Sequence, residues 1–269
     1  VTSSAIEIRN LGVVYKDRGA PFRALDKVSF TVKPGEFVSV IGASGCGKST
    51  LLSVLEGLLA PTEGEVLIGG KPISGPGRDR SVVFQQYSLF PWMSARANVA
   101  FALEQAKKSL KRRECLELAD KMLARVGLEG FGRRFPKELS GGQQQRVAIA
   151  RALVVDAPIL LMDEPFGAID AKNRCLLQEL LLELWEGEPD CERKTVVFIT
   201  HDLEEAILLS DRILMLRPNP GHVHAEFQVP FERPRHRLEL LRNPEYQQFV
   251  SDLSDIFFEL DYQEVPANG

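Results

Sequence analysis

Residues Leu139-Ser140-Gly141-Gly142-Gln143 read LSGGQ, and Gln144-Gln145-Arg146-Val147-Ala148-Ile149-Ala150-Arg151-Ala152 follow without a break. Ser140 and Gln143 stand three apart ahead of an apolar run, the spacing of a capping box, so a helix is predicted to start here. A helix start opened by glycines presents free N–H groups and a hydroxyl to an anion. Upstream, Gly42-Ala43-Ser44-Gly45-Cys46-Gly47-Lys48-Ser49 has the form G-x-x-x-x-G-K-S, a loop whose amides cradle phosphates. Downstream, the apolar Ile159-Leu160-Leu161-Met162 ends in Asp163-Glu164. One phosphate loop is already present, which leaves a second phosphate-reading helix an awkward job within the same chain.

The flanking sequence gives the loop its context. Val28, Phe30 and Val32 alternate with polar residues at a period of two, Pro34-Gly35 makes a turn, and Phe37–Ile41 reads as a buried strand. Ser49–Leu55 has helical character and stops at Gly57. Strand, glycine-rich loop and helix in succession are what a genuine phosphate loop needs. From about residue 88 to 155 the pattern turns helical. Leu116, Ala119, Leu123 and Val126 form one face, Gly127 a C-terminal cap, and Glu117 with Lys121 an i,i+4 pair. Strand signals return at Ile159–Met162, Thr195–Thr200 and Ile213–Leu216. This order predicts an α/β fold, a mostly parallel sheet interrupted by a helical insertion. Past Arg217 the chain is rich in proline, and a tail helix is predicted around residues 246–260.

A chain of 269 residues buries a substantial core, and 44% hydrophobic with 26% charged residues is ordinary for a globular protein. The net charge of -4 argues against a nucleic-acid partner. No apolar run reaches the roughly 18 to 20 residues that span a bilayer, and Val1-Thr2-Ser3-Ser4 lacks the layout of a secretory signal, so a cytoplasmic protein is expected. Cys46, Cys115, Cys175 and Cys191 form no C-x-x-C pair, which predicts reduced thiols. Cys46 lies inside the phosphate loop, where alkylation would block nucleotide binding.

The three motifs in this order resemble the ATP-binding cassette (ABC) family, over a stretch from about Ile6 to Asn243. The resemblance implies a P-loop ATPase with a RecA-like mixed-sheet core, an N-terminal antiparallel β subdomain and a helical subdomain. It places the ATPase domain at residues 1–237, with the helical subdomain inserted at about 88–157 and a C-terminal tail at 238–269. Its cofactors would be ATP and Mg²⁺. Gly42, Ser44, Gly45, Cys46, Gly47, Lys48, Ser49 and Thr50 would bind the phosphates, and Ser49 the metal. Asp163 would hold Mg²⁺ through water, and Glu164 would polarise the attacking water as general base. Pro165-Phe166-Gly167-Ala168-Ile169-Asp170 resembles the family's D-loop, with Ile169 in place of the usual Leu and Asp170 at its end. His201, after Thr200, resembles the switch histidine that contacts the γ-phosphate. Gln85 looks like the Q-loop glutamine that touches the metal and the water, with Gln86 as the adjacent alternative. Tyr15 resembles the aromatic that stacks on adenine, with Phe22 as competitor. Ser140, Gly141, Gly142 and Gln143 would close the ATP site of a second copy in a head-to-tail dimer.

Within the family, repair ATPases carry long coiled-coil insertions and translation ATPases two cassettes; neither pattern is present. The resemblance therefore implies the energy-coupling subunit of a transporter, peripheral on the cytoplasmic face of the inner membrane. Its partners would be transmembrane permease subunits and, indirectly, a solute-binding protein. The Val83–Trp92 segment, Ile73–Arg80 and Val229–Arg235 are similar to the nitrate/sulfonate/taurine/bicarbonate importer group, with another importer group as runner-up. Phe257, Phe258 and Leu260 in the tail are expected to dock on the same chain.

Overall fold

The computed structural model describes residues 5–16, 20–187 and 192–262, without the side chains of 259–262. Cys191 and the Leu260 side chain lie outside this set. The chain forms two compact units: residues up to Pro76 together with those from Thr195 onward, and Gly77–Lys194. In chain order, the first unit begins with β1 (Ile6–Tyr15), β2 (Phe22–Val32), β3 (Phe37–Gly42), α1 (Lys48–Glu56), β4 (Glu63–Ile68) and β5 (Lys71–Pro72). The second unit holds β6 (Arg80–Val83), α2 (Ala95–Ala106), α3 (Arg112–Arg125), α4 (Gly141–Val154), β7 (Ile159–Asp163) and α5 (Ala171–Glu186). The first unit resumes with β8 (Thr195–Ile199), α6 (Leu203–Leu209), β9 (Arg212–Arg217), β10 (His222–Gln228), α7 (Arg237–Leu240) and α8 (Pro244–Tyr262).

In the first unit, β2, β1, β4 and β5 make an antiparallel sheet in that order. The predicted alternation of β2 is realised: Val28, Phe30 and Val32 are buried and Ser29 and Thr31 exposed. A second sheet pairs β3 in parallel with both β8 and β9, and β10 closes the edge antiparallel to β9. Every residue of β3 is buried, as in a parallel sheet covered on both faces, which is why Phe37-Val38-Ser39-Val40-Ile41 is apolar with one small exception. Burying Phe37, Val38, Val40 and Ile41 completely is worth roughly 1.5–3 kcal/mol each.

Arg212 joins the two sheets of this unit. Its guanidinium forks onto Glu36 (Nε to Oε1 2.8 Å, Nη2 to Oε2 3.0 Å), reaches Glu226 Oε1 at 2.9 Å and donates to the Thr31 carbonyl in β2. The tail docks on the same unit, as expected, but through other residues. Tyr246 and Phe249 of α8 set their rings against Phe231, and Leu253 is buried, whereas Phe258 is exposed.

In the second unit β6 and β7 run parallel, Arg80 opposite Ile159 and Val83 opposite Met162. Three helices share one apolar cluster: Ala95, Val99 and Leu103 of α2, Cys115, Ala119 and Leu123 of α3, and Val147, Ala150 and Val154 of α4. Each triplet repeats every three or four residues, the period of a helix face. Of the expected α3 face, Ala119, Leu123 and Val126 are buried and Leu116 packs half-buried against the cluster, while Cys115 joins them fully buried. Glu117 pairs with Arg113 at 2.9 Å rather than with Lys121, one turn toward the N-terminus instead of the C-terminus.

Arg212→Ala would leave Glu36, nearly buried, without its fork. Removing one partner of a buried ion pair costs about 3–5 kcal/mol, and the urea midpoint of the variant, followed by circular dichroism, should fall accordingly.

Candidate functional site

Parallel pairing of β3 and β8, with Val40 opposite Ile199, carries the chain ends of both strands to one edge of the sheet. The loop Gly42–Gly47 leaves β3 there. A Cβ on Gly42 would lie 2.5 Å from the Leu216 carbonyl oxygen and 2.6 Å from Cys46 Sγ, so only glycine fits. Gly47 begins α1 at φ 94°, and a Cβ on it would meet Leu25 Cδ2 at 2.5 Å. No side chain caps α1, so its first-turn N–H groups remain available to an anion. Lys48 is nearly buried, its ammonium donating to the carbonyls of Gly42 (2.6 Å) and Ala43 (3.0 Å). Ser44, Gly45 and Ser49 are exposed at the loop mouth. Thr50 Oγ1 lies 3.3 Å from Tyr15 Oη, which ties the half-exposed Tyr15 to the start of α1. Phe22 is its cross-strand partner in β1–β2, so the two aromatic candidates stand side by side.

His201 follows β8 at the same edge and is exposed. The residues around it are fixed by hydrogen bonds. The Thr200 hydroxyl donates to Glu205 Oε2 at 2.7 Å and accepts from Asp202 N at 3.0 Å, while Asp202 caps α6 by accepting from Glu205 N at 3.1 Å.

The second unit repeats the device. Because β6 and β7 are parallel, Gln85 and the Asp163-Glu164 pair emerge at one edge, and Gln85 Nε2 lies 3.4 Å from Glu164 Oε2. Of the two glutamines considered, Gln85 is thus the one beside Glu164. Glu164 has φ 39°, a left-handed conformation uncommon for a side chain that is neither Gly nor Asn. Such strain, of order 1–3 kcal/mol, persists where surrounding structure enforces it and gathers at functional positions. Asp170 caps α5, accepting from Asn173 N (3.1 Å) and Nδ2 (2.7 Å), and these bonds hold its carboxyl below the usual carboxylate range.

The predicted capping box is present. Ser140 Oγ accepts from Gln143 N at 3.3 Å, and Gln143 Oε1 accepts from Ser140 N at 2.9 Å. Gly141 lies under the Tyr87 ring, where a Cβ would be 2.8 Å from Oη. Arg151, to which sequence reasoning gave no role, donates from α4 to the carbonyls of Ser88 (2.6 Å) and Tyr87 (3.2 Å). Nothing local to Arg151 signals those partners, which lie more than sixty residues away.

The family described as ABC transporter matches residues 25–167, which include the phosphate loop, LSGGQ and Asp163-Glu164. The chain belongs to the ABC transporter family. It is accordingly an ATP-binding, ATP-hydrolysing cassette. The chain is 44% identical to the nitrate import ATP-binding protein NrtD of Synechococcus elongatus, over 92% of this chain and 89% of that one. It is 42% identical to the bicarbonate transport ATP-binding protein CmpD of Synechocystis, over 96% and 90%. A solved dimeric ATP-binding cassette, in a post-hydrolysis state bound to ADP and Pi, superposes with a TM-score of 0.73 at 36% identity, covering 84% of this chain and all of that one.

The cassette's loop cysteine is less reactive than its position suggests. Cys46 is fully buried, and burial pushes its thiol pKa up, against the opposing pull of the Lys48 ammonium. A thiol reacts as its thiolate, so maleimide at neutral pH should modify the half-exposed Cys175 and leave Cys46 and Cys115 untouched. Peptide mass spectrometry of the folded protein checks this, and rapid labelling of Cys46 would contradict it.

Proposed function

We propose that this cassette is the energy-coupling ATPase of an importer for a small inorganic or organic anion, nitrate, bicarbonate or a sulfonate. The observation that carries the reading is the likeness to nitrate and bicarbonate import ATP-binding proteins over 92–96% of the chain. No described helix is long and apolar enough to cross a membrane. The cassette's likeness to import ATP-binding proteins supports a peripheral subunit at the cytoplasmic face, against separate permease subunits that a solute-binding protein supplies.

In this reading the first-turn amides of α1 and Lys48 bind the ATP phosphates, Ser44, Gly45, Cys46 and Thr50 complete the loop, and Tyr15 stacks on adenine. Ser49, Gln85 and Asp163 are oxygen donors of the kind a hard cation takes, and they hold Mg²⁺, which neutralises charge on the phosphates. With Gln85 Nε2 given to Glu164, its Oε1 is left for that role. Glu164 takes the proton of the attacking water, and His201 donates to the γ-phosphate. The helix start at Ser140–Gln143 serves the ATP of a second copy, a pairing that a dimeric neighbour supports, and Asp170 adds to the nucleotide contacts. The ATPase domain spans residues 1–237, with the helical subdomain at about 88–157 and residues 238–269 as its tail.

The permease contact falls on the segment after Gln85. Phe90 packs edge-on against Phe101 at 5.1 Å, while Trp92, 70% exposed, is free to meet a partner. Tyr87, Phe90 and Trp92 thus link a nucleotide-sensing end to an outer aromatic surface.

Glu164→Gln should keep ATP affinity and slow hydrolysis by about 10²- to 10⁴-fold, the worth of a positioned base; Lys48→Ala should instead lose binding. Equilibrium binding of a fluorescent ATP analogue beside steady-state phosphate release separates the two, and near-normal turnover of both variants would remove the assigned roles.

Shared sites make a second, sharper outcome. Lys48→Ala and Ser140→Arg homodimers should each be nearly inactive, since both of their sites are damaged. A mixed dimer confines both lesions to one site and leaves the other chemically whole. Phosphate release from the mixture should therefore exceed that of either variant alone, and a mixture no better than its components, under conditions where dimers are seen by light scattering, would count against the shared site.

A further inference from the structure

The seven-residue helix α6 begins two residues after His201, and its far end is gripped by the segment that follows β10. Arg235, nearly buried, spends its guanidinium on main-chain carbonyls at the end of that helix: Nη1 donates to Ile207 O (3.0 Å) and Ser210 O (2.6 Å). Its Nε and Nη2 donate to Phe231 O (2.9 and 2.8 Å), which fixes the fork in place. Arg233 adds a bond from Nη2 to Leu209 O at 2.6 Å and from Nε to Asp211 Oδ1 at 2.8 Å. The last carbonyls of a helix have no partner within it, and cations there also oppose the helix dipole. At the other end Arg237 approaches Glu204 at 3.7 Å, and Tyr246 of α8 is buried, its hydroxyl pKa pushed up to about 12 by burial with the Glu204 carboxylate adding.

A helix of two turns does not hold itself in water. What fixes α6, and with it the turn Thr200-His201-Asp202, is the packing and hydrogen bonding of its surroundings. We propose that Arg235, with Arg233, is a positioning residue for His201, so that the stretch after β10 belongs to the machinery of hydrolysis. This rests on the role given to His201 above. The guanidinium does not touch substrate; it holds the helix whose first turn sets where the imidazole stands. Displacement of a reacting group by about 1 Å costs up to 10²-fold in rate, which makes a clamp on carbonyls six to nine residues past the histidine kinetically visible.

The test is a double-mutant cycle on the full-length protein, reading kcat and KM for ATP from phosphate release. Arg235→Ala should lower kcat roughly 10- to 100-fold with KM changed much less, and Arg235→Lys, which keeps three donors without the planar fork, should recover part of the loss. In a His201→Ala background the same substitution should cost nothing further, because the group it positions is gone. Should Arg235→Ala fail to fold, Arg233→Gln is taken through the same cycle. Losses that add in full, or an Arg235→Ala or Arg233→Gln protein with normal kcat, overturn the clamp. A His201→Ala protein that hydrolyses normally removes the role of His201 itself and the clamp with it, an outcome distinct from a slow His201→Ala combined with additive losses.

Discussion

The ladder that holds β3 between β8 and β9 decides where the chemistry of the first unit takes place. Phe37 faces Val196 and Val40 faces Ile199 on one side, and Val38 faces Arg212 and Gly42 faces Leu216 on the other. Parallel strands end at the same edge, and the residues just past those ends are the ones free to meet a ligand. Gly42 and His201 are brought together by this pairing, although some 160 residues separate them. Leu216 acts from the opposite side: its carbonyl lies where a Gly42 side chain would be, so the ladder also dictates that the loop open on glycine. Arg212 then pins the ladder to the antiparallel sheet through Glu36 and the Thr31 carbonyl.

Two helix starts in this chain read as anion sites, and they are prepared differently. Gly47 leaves the first amides of α1 uncapped, so their satisfaction falls to a ligand. Ser140 instead spends its oxygen on Gln143 N, and Gln143 returns the bond. That reciprocal cap satisfies part of the helix end and sets the direction of α4 before any anion arrives. The first arrangement suits tight capture of a polyphosphate; the second suits a preorganised surface that is offered to one already held. The Lys48 ammonium, hydrogen-bonded to Gly42 and Ala43 carbonyls, keeps a positive charge inside the first site at little cost in order.

What the sequence disclosed and what it hid divide along the range of the interactions. The phosphate loop, β3, α1 with its Gly57 cap, β7 and the Ser140–Gln143 cap all follow from residues within a few positions of one another. Cys115 joins the expected α3 residues Ala119, Leu123 and Val126, because a free thiol packs as a small apolar group that the spacing of larger apolar residues does not mark. Glu117 turned to Arg113 instead of Lys121, a choice between two equally spaced cations that local pattern does not make. β10 escaped notice because prolines at 220 and 230 flank it and its residues are only half-buried at a sheet edge. Gln85 directly follows the apolar run Val82-Val83-Phe84, which favours it over Gln86, and the fold adds its contact with Glu164, 79 positions away. The roles of Arg151, Arg212, Arg233 and Arg235 were illegible for the same reason: each satisfies carbonyls or carboxylates distant in sequence, and a guanidinium's composition says nothing of whom it meets.

The arginines also show how the segment after Gln85 is connected to the rest of the second unit. Gln85 leads directly into Tyr87 and Ser88, whose carbonyls are held by Arg151 on α4, and the Tyr87 hydroxyl lies over Gly141 at the start of the same helix. Ser88 has φ 48°, so the segment turns sharply at the point where Arg151 seizes it. Arg151 and Tyr87 thus tie the segment after Gln85 to both ends of α4, by a guanidinium near its C-terminal end and by a hydroxyl at its N-terminus. A side chain at position 141 would meet the Tyr87 hydroxyl at 2.8 Å, and Tyr87 would have to shift to admit it. The start of α4 and the segment after Gln85 are thus in direct contact, and the closest approach falls at a residue without a side chain.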